Sequence, residues 1–157
     1  MQPLPHLYRV TADGAAYGAI SIKSNDVPDL IAAAPKEFDG PGDRWSPEAL
    51  IAASMASCFV LTFRAMARAS HLQWSELQVR VEGKLERVES VSQFTHWTTI
   101  ATLSVAEETD VELCTRTLEK AEHGCMVANS LRGTRELKAH VRVQVPVAEY
   151  MVGEFVD

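Results

Sequence analysis

At 157 residues and 46% hydrophobic composition, the chain is long enough for one domain with a core of its own, and its three cysteines are too few for a secreted disulfide framework. A net charge of −6, with no cluster of Lys and Arg interleaved with aromatics, argues against a nucleic-acid partner. The start Met1-Gln2-Pro3-Leu4-Pro5-His6 lacks the basic and apolar stretches of a signal peptide, and the longest uncharged apolar run, residues 49–63, is shorter than the ~20 residues of a bilayer span, so a cytoplasmic protein without a membrane segment is expected.

Residues 7–22 alternate loosely and are broken by Asp13-Gly14 and Gly18, which predicts a short hairpin. Residues 35–44 hold Asp39-Gly40-Pro41-Gly42-Asp43, the composition of an exposed loop with few internal contacts. A helix follows, with Ser46 as N-cap, Pro47 at the first helical position, and Glu48 set against the positive end of the dipole. It extends to about Ser70, and its apolar middle calls for cover on every side.

Strands are predicted over 77–88 and 94–105, where Val79, Val81, Leu85 and then Thr99, Ala101, Leu103, Val105 keep a period of two, with a turn over 89–92. Residues 107–123 read as a second helix, with Val111, Leu113, Leu118 and Ala121 toward the core and Gly124 as its stop. A further helical turn starts near Cys125, and a last strand covers 137–145, ended by Pro146, before an apolar tail, 147–157. This order of strands and helices is that of an α+β domain spanning residues 1–157.

Three thiols are the candidates for chemistry. Cys58 lies halfway along the apolar helix, where a cysteine is either inert packing or a nucleophile. Cys125 follows Gly124 at a helix start, where unpaired backbone donors favour a thiolate. Cys114, inside the second helix, reads as structural, and His123 reads either as a base beside Cys125 or as a cap on its own helix. Cys114, His123 and Cys125 lack the paired spacing of a zinc site, and no nucleophile elbow, phosphate loop or His-Glu-x-x-His occurs.

Two segments together resemble one family, the OsmC/Ohr peroxidases, which comprise osmotically inducible and organic hydroperoxide resistance proteins. Ser46-Pro47-Glu48-Ala49-Leu50-Ile51-Ala52-Ala53-Ser54-Met55-Ala56-Ser57-Cys58-Phe59 is similar to the family's Asn/Ser-Pro-Glu-x-Leu helix ending in Ala-Cys-Phe. Cys125-Met126-Val127-Ala128-Asn129-Ser130-Leu131 is similar to its resolving motif. The resemblance implies antiparallel sheets around a long central helix in an intertwined homodimer, no cofactor and no metal.

It also implies a two-cysteine peroxidase for a small-molecule hydroperoxide, in which Cys58 attacks, Cys125 resolves and a dithiol reductant, such as a lipoyl-bearing protein, resets the pair. The family holds its thiolate with an arginine from a loop equivalent to residues 15–19. No arginine stands there; Arg44 is the nearest substitute and Arg9 the second. Burial alone would raise the Cys58 pKa, so a cationic partner is expected. Glu48 precedes Cys58 by ten residues, about 15 Å of helix, so one site can use both only through another chain or a folded-back loop. The alternatives are a binding or stress protein with inert cysteines, and another Cys58 activity such as acyl transfer.

Overall fold

The structure is a computed structural model and describes residues 2–144. The chain divides between Ser54 and Met55 into two compact units, each with its own three-stranded sheet.

In the first unit, β1 (Thr11–Asp13), β2 (Ile20–Lys23) and β3 (Leu30–Ala32) form an antiparallel sheet in that order. The expected hairpin is therefore present, with shorter strands, and β3 is an addition. Leu-Ile-Ala is too short to reveal a period of two. Beyond it, Ala33 N–H donates to the Trp45 carbonyl at 2.9 Å.

The loop before the long helix is more constrained than its composition indicates. A 3-10 turn, Lys36–Phe38, lets Phe38 N–H and Gly40 N–H both donate to the Pro35 carbonyl, at 3.0 and 2.9 Å. A Cβ on Gly40 would lie 1.7 Å from the Ala34 carbonyl oxygen, so glycine is what allows the loop to fold back on itself.

The helix α1 (Pro47–Ala69) starts where the sequence places it, and Ala49 N–H donates to Ser46 Oγ at 3.1 Å. Its buried residues are Met55, Phe59, Phe63 and Ala67, one stripe at four-residue spacing. The expectation of a helix covered all round is thus not met within one chain: Leu61 is 60% exposed. At 23 residues, α1 is also long and apolar enough by length and composition to cross a membrane, which the count over 49–63 missed by stopping short of both helix ends.

In the second unit, β4 (Glu76–Val88) pairs antiparallel with β5 (Val91–Ala106) through a two-residue turn, Glu89-Ser90, both at positive φ. That geometry matches the strand twist but normally recruits Asn or Gly, so the sequence suggested a longer turn. Trp97 lies across Gly83, where a Cβ would come within 2.4 Å of the ring, and its Nε1–H donates to the Arg132 carbonyl at 3.0 Å.

The sheet order is β4-β5-β6, with β6 (Thr134–Gln144) parallel to β5 from His96↔Thr134 to Ala106↔Gln144. This corrects the expectation of antiparallel sheets. The chain returns to the same edge direction after a helical crossover, and such a connection leaves parallel neighbours. Val145, Pro146 and the apolar tail lie outside the described residues.

The crossover holds α2 (Val111–Gly124) and α3 (Met126–Ser130). Asp110 caps α2, accepting from Glu112 N–H at 2.9 Å and Leu113 N–H at 3.1 Å, so the helix begins four residues later than predicted. Leu118 and Ala121 are buried as expected, while Val111 is exposed. Phe59, Phe63 and Ala67 of α1 pack with Leu118 and Ala121 of α2 and with Ala101, Leu103 and Val105 of β5. Fully burying side chains the size of Phe59 and Phe63 is worth about 1.5–3 kcal/mol each.

Candidate active site

Cys58 stands on α1, one residue before buried Phe59 and one turn before Thr62. Cys125 is the single extended residue between α2 and α3, with φ −69° and ψ 102°. That break in the helical path redirects the chain. Cys125 N–H still reaches back to the Glu122 carbonyl at 3.3 Å, while its own carbonyl accepts from Asn129 N–H at 3.0 Å. The first amides of α3 are left free of intrahelical partners, as at any helix start.

Those amides face Cys58. Burial pushes the Cys58 thiol up, but the Val127 amide, the Cys125 thiol, the Thr62 hydroxyl and the Met126 amide all hydrogen-bond to it, and the net effect lowers its pKa. Cys125 moves the other way. Burial raises it first, the Ala128 amide offsets part of this, and the contact with Cys58 and the charges of Cys58 and Glu122 add to the rise, to about 11. Its sulfur also lies 3.9 Å from the Met55 carbonyl.

Two sequence expectations are corrected here. The helix-start donors assigned to Cys125 mainly serve Cys58, because Cys125 precedes the first turn of α3 and the amides after it project toward α1. The offset to burial at Cys58 comes from neutral N–H, O–H and S–H donors, so a cation is not required to lower the thiol.

The close approach of α1 and α2 depends on Gly124. A Cβ there would lie 3.2 Å from both Met66 Cε and Thr62 Cγ2. Beside this contact a cavity of about 590 Å³ is lined by Met66, Arg116, Glu119, Lys120, His123 and Gly124.

The remaining candidates fall elsewhere. Cys114 is fully buried in the core, where burial and then Asp110 raise its pKa, as suits a packing residue. His123 is exposed and bonds through Nδ1 to the Glu119 carbonyl of its own helix at 2.8 Å, so it caps rather than serving Cys125 as a base. Arg44 is exposed and pairs with its neighbour Asp43 at 3.8 Å. Arg9 is exposed, with Ser24 Oγ donating to its carbonyl at 3.2 Å. Glu48 Oε2 is buried without a hydrogen bond among the described residues. No three His, Cys, Asp or Glu side chains gather as metal ligands among the described residues.

Sequence reasoning missed Thr62 and Glu122. Thr62 had a signal in its spacing, four residues after Cys58 on the same face of α1, while Glu122 lies three residues before Cys125, which itself sits outside α2.

Comparison with known proteins accounts for the same framework. The uncharacterized protein YmaD of Bacillus subtilis (strain 168) is 30% identical over 114 residues, covering 71% of this chain and 76% of that protein. An OsmC-like protein of unknown function from Vibrio cholerae superposes with a TM-score of 0.77 at 13% identity, over 86% of this chain and 99% of that one. An organic hydroperoxide resistance protein from Elizabethkingia anophelis, solved with thiocyanate bound, gives 0.73 at 23% identity, over 92% and 100%. The family model described as OsmC-like protein matches residues 40–140, a span that includes Ser46, both helices of the crossover and all three cysteines, and the chain belongs to this OsmC-like family.

Proposed function

We propose that the protein is a thiol-dependent peroxidase that reduces organic hydroperoxides through Cys58 and Cys125. The observation that carries this reading is the polarity of the pair: two hydrogen-bonded thiols, one lowered and the other raised to about 11. The first is the readier of the two to ionise and attack, and the second stays protonated until it is needed.

In the proposed reaction the Cys58 thiolate attacks the terminal peroxide oxygen, the O–O bond breaks, and the alcohol leaves with a proton. Cys58 is then a sulfenic acid. Cys125 displaces its hydroxyl as water, giving a Cys58–Cys125 disulfide, and a dithiol reductant, such as a lipoyl-bearing protein, restores both thiols. Met66 and the stem carbons of Lys120 and Arg116 in the adjacent cavity offer an alkyl group an apolar surface, which favours an organic hydroperoxide over hydrogen peroxide.

Arg44, with Arg9 as second candidate, is proposed to hold the peroxide oxygen that gains charge, with the orphaned Oε2 of Glu48 as the acceptor that orients the guanidinium. The exposed face of α1 is proposed to be covered by a second copy of the chain in a homodimer, in a cytoplasmic setting that keeps the thiols reduced.

The test is turnover of cumene hydroperoxide against hydrogen peroxide with dihydrolipoamide as reductant. Wild type turns over the organic substrate faster, Cys58→Ser is inactive, and Cys125→Ser is oxidised once without forming an internal disulfide. If wild type consumes neither peroxide, the peroxidase reading fails.

A further inference from the structure

Cys125 is held in the link between α2 and α3 by two backbone bonds. Its N–H donates to the Glu122 carbonyl at 3.3 Å, and its carbonyl accepts from Asn129 N–H at 3.0 Å. The side chains of those same two residues meet one guanidinium, that of Arg135 on β6. Arg135 Nε lies 3.5 Å from Glu122 Oε1, and Arg135 Nη1 donates to Asn129 Oδ1 at 2.9 Å. Asn129 closes the arrangement by donating from Nδ2 to the His123 carbonyl, in the last turn of α2, at 2.9 Å.

Arg135 is rooted in the sheet. It stands in register with Trp97, which is buried and donates from Nε1 to the Arg132 carbonyl at 3.0 Å. Gly133 has a φ of +100°, and a Cβ there would come within 2.8 Å of the Thr95 carbonyl oxygen, so the chain enters β6 pressed close to β5. A helix as short as α3, five residues, is marginal by itself, so ties to its surroundings set where it lies. The buried Cys125 thiol donates to the Met55 carbonyl at 3.9 Å, three residues before Cys58 on α1. A shift of the link would carry that thiol away from α1.

We propose that Arg135 is a positioning residue for Cys125: by gripping Glu122 and Asn129 together, it holds the α2–α3 link so that the Cys125 thiol stays against α1, within reach of Cys58. The proposal rests on the Cys58/Cys125 pairing of the peroxidase reading. Arg135 acts through the two backbone partners of Cys125 and not on the sulfur itself. An arginine suits this role because its planar fork holds two partners at once, whereas a lysine ammonium is a single point of charge.

The test reads closure of the pair with an aromatic disulfide, dithiobis-nitrobenzoate, at fixed pH. The Cys58 thiolate attacks it, giving a mixed disulfide and one coloured thiolate. Cys125 loses its proton to solvent and attacks the Cys58 sulfur, which breaks the mixed disulfide, forms Cys58–Cys125 and releases a second coloured thiolate. Arg135→Met should slow the second release by about 10–10²-fold, the loss expected when a reacting group is misplaced by about 1 Å. Asn129→Ala changes no charge and should slow it to a similar degree. The double variant should be no slower than the slower single one, because the two residues act as a unit. Arg135→Lys should recover part of the rate. The first release and a cooperative thermal melt show that each variant is folded.

A second release from Arg135→Met within about twofold of wild type, far short of that loss, overturns the proposal. Full recovery in Arg135→Lys or an unaffected Asn129→Ala overturns it too, since the charge of Arg135 then acts without the link. A fully additive double variant, or no second release from wild type, has the same consequence. A parallel reaction with cumene hydroperoxide separates the two readings. If it leaves both thiols of wild type reduced, the peroxidase reading fails while the aryl disulfide still decides the role of Arg135.

Discussion

The thiol of Cys125 is hydrogen-bonded to Cys58, a contact that adds to the lowering of Cys58 led by the Val127 amide and to the rise of Cys125 led by burial. The asymmetry originates in backbone geometry. Cys125 sits in the extended link between two helices, so the amides after it meet Cys58 while its own side chain stays buried.

Alkylation by iodoacetamide follows the thiolate fraction, so Cys58 should react with a midpoint below the ordinary thiol value and Cys125 well above it. Removing a donor to the thiolate favours the protonated form. Cys125→Ala should therefore move the Cys58 midpoint upward, Cys125→Ser less so because a hydroxyl still donates, and Thr62→Val upward by a smaller step. An unchanged midpoint in Cys125→Ala contradicts the pairing.

Gly124 sets the distance between the helices that carry the two thiols. Gly124→Ala should be tolerated, since the terminal methyl of Met66 can shift from its 3.2 Å approach. Gly124→Val has no such room against Thr62 and should destabilise by about 1–3 kcal/mol, as overpacking does. It should also raise the Cys58 midpoint as the Val127 and Met126 amides retreat. Thermal melting and the same alkylation profile measure both effects; a valine variant with wild-type titration shows that the approach is not set at this glycine.

What the sequence makes legible is what neighbouring residues decide. Ser46, Pro47 and the apolar run after them define α1 locally, and the alternation of Val79, Val81 and Leu137, Ala139, Val141 marks strands without their partners. The parallel β5–β6 pairing depends on residues about 40 positions apart meeting after a crossover, and no local pattern encodes that register. The start of α2 was misplaced because Glu107 and Glu108 have helical composition, whereas Asp110 holds the cap. At the site, the residue types of the pair were readable and their polarity was not, because it follows from which sulfur faces the free amides of α3.

The exposed side of α1 leads to a prediction about assembly. With Leu61 60% exposed on a helix of this apolarity, a second chain is the expected cover, and light scattering at micromolar concentration should give twice the mass of the 17.3 kDa chain. Leu61→Lys should shift that equilibrium toward the monomer by placing a charge in the contact. A wild-type monomer under these conditions removes the dimer from the proposal.

Arg44 is the remaining part of the proposed site, and its present partner is weak. The pair with Asp43 spans 3.8 Å between exposed side chains, an arrangement worth little in water, so the guanidinium can be recruited at small cost. Because the Cys58 thiol is already lowered by neutral donors, the role left for an arginine is on the substrate, holding the oxygen that becomes negative as the O–O bond breaks. The two roles separate experimentally. Arg44→Ala should leave the iodoacetamide midpoint of Cys58 in place while slowing its oxidation by cumene hydroperoxide about 10²–10³-fold, the usual loss for one charge-stabilising donor. Arg44→Lys keeps the charge without the planar fork and should recover only part of that rate. Glu48→Gln should slow the same step through looser positioning, again without moving the midpoint. If Arg44→Ala oxidises within about twofold of wild type, far short of that loss, the identical comparison on Arg9→Ala decides whether any arginine serves this thiol.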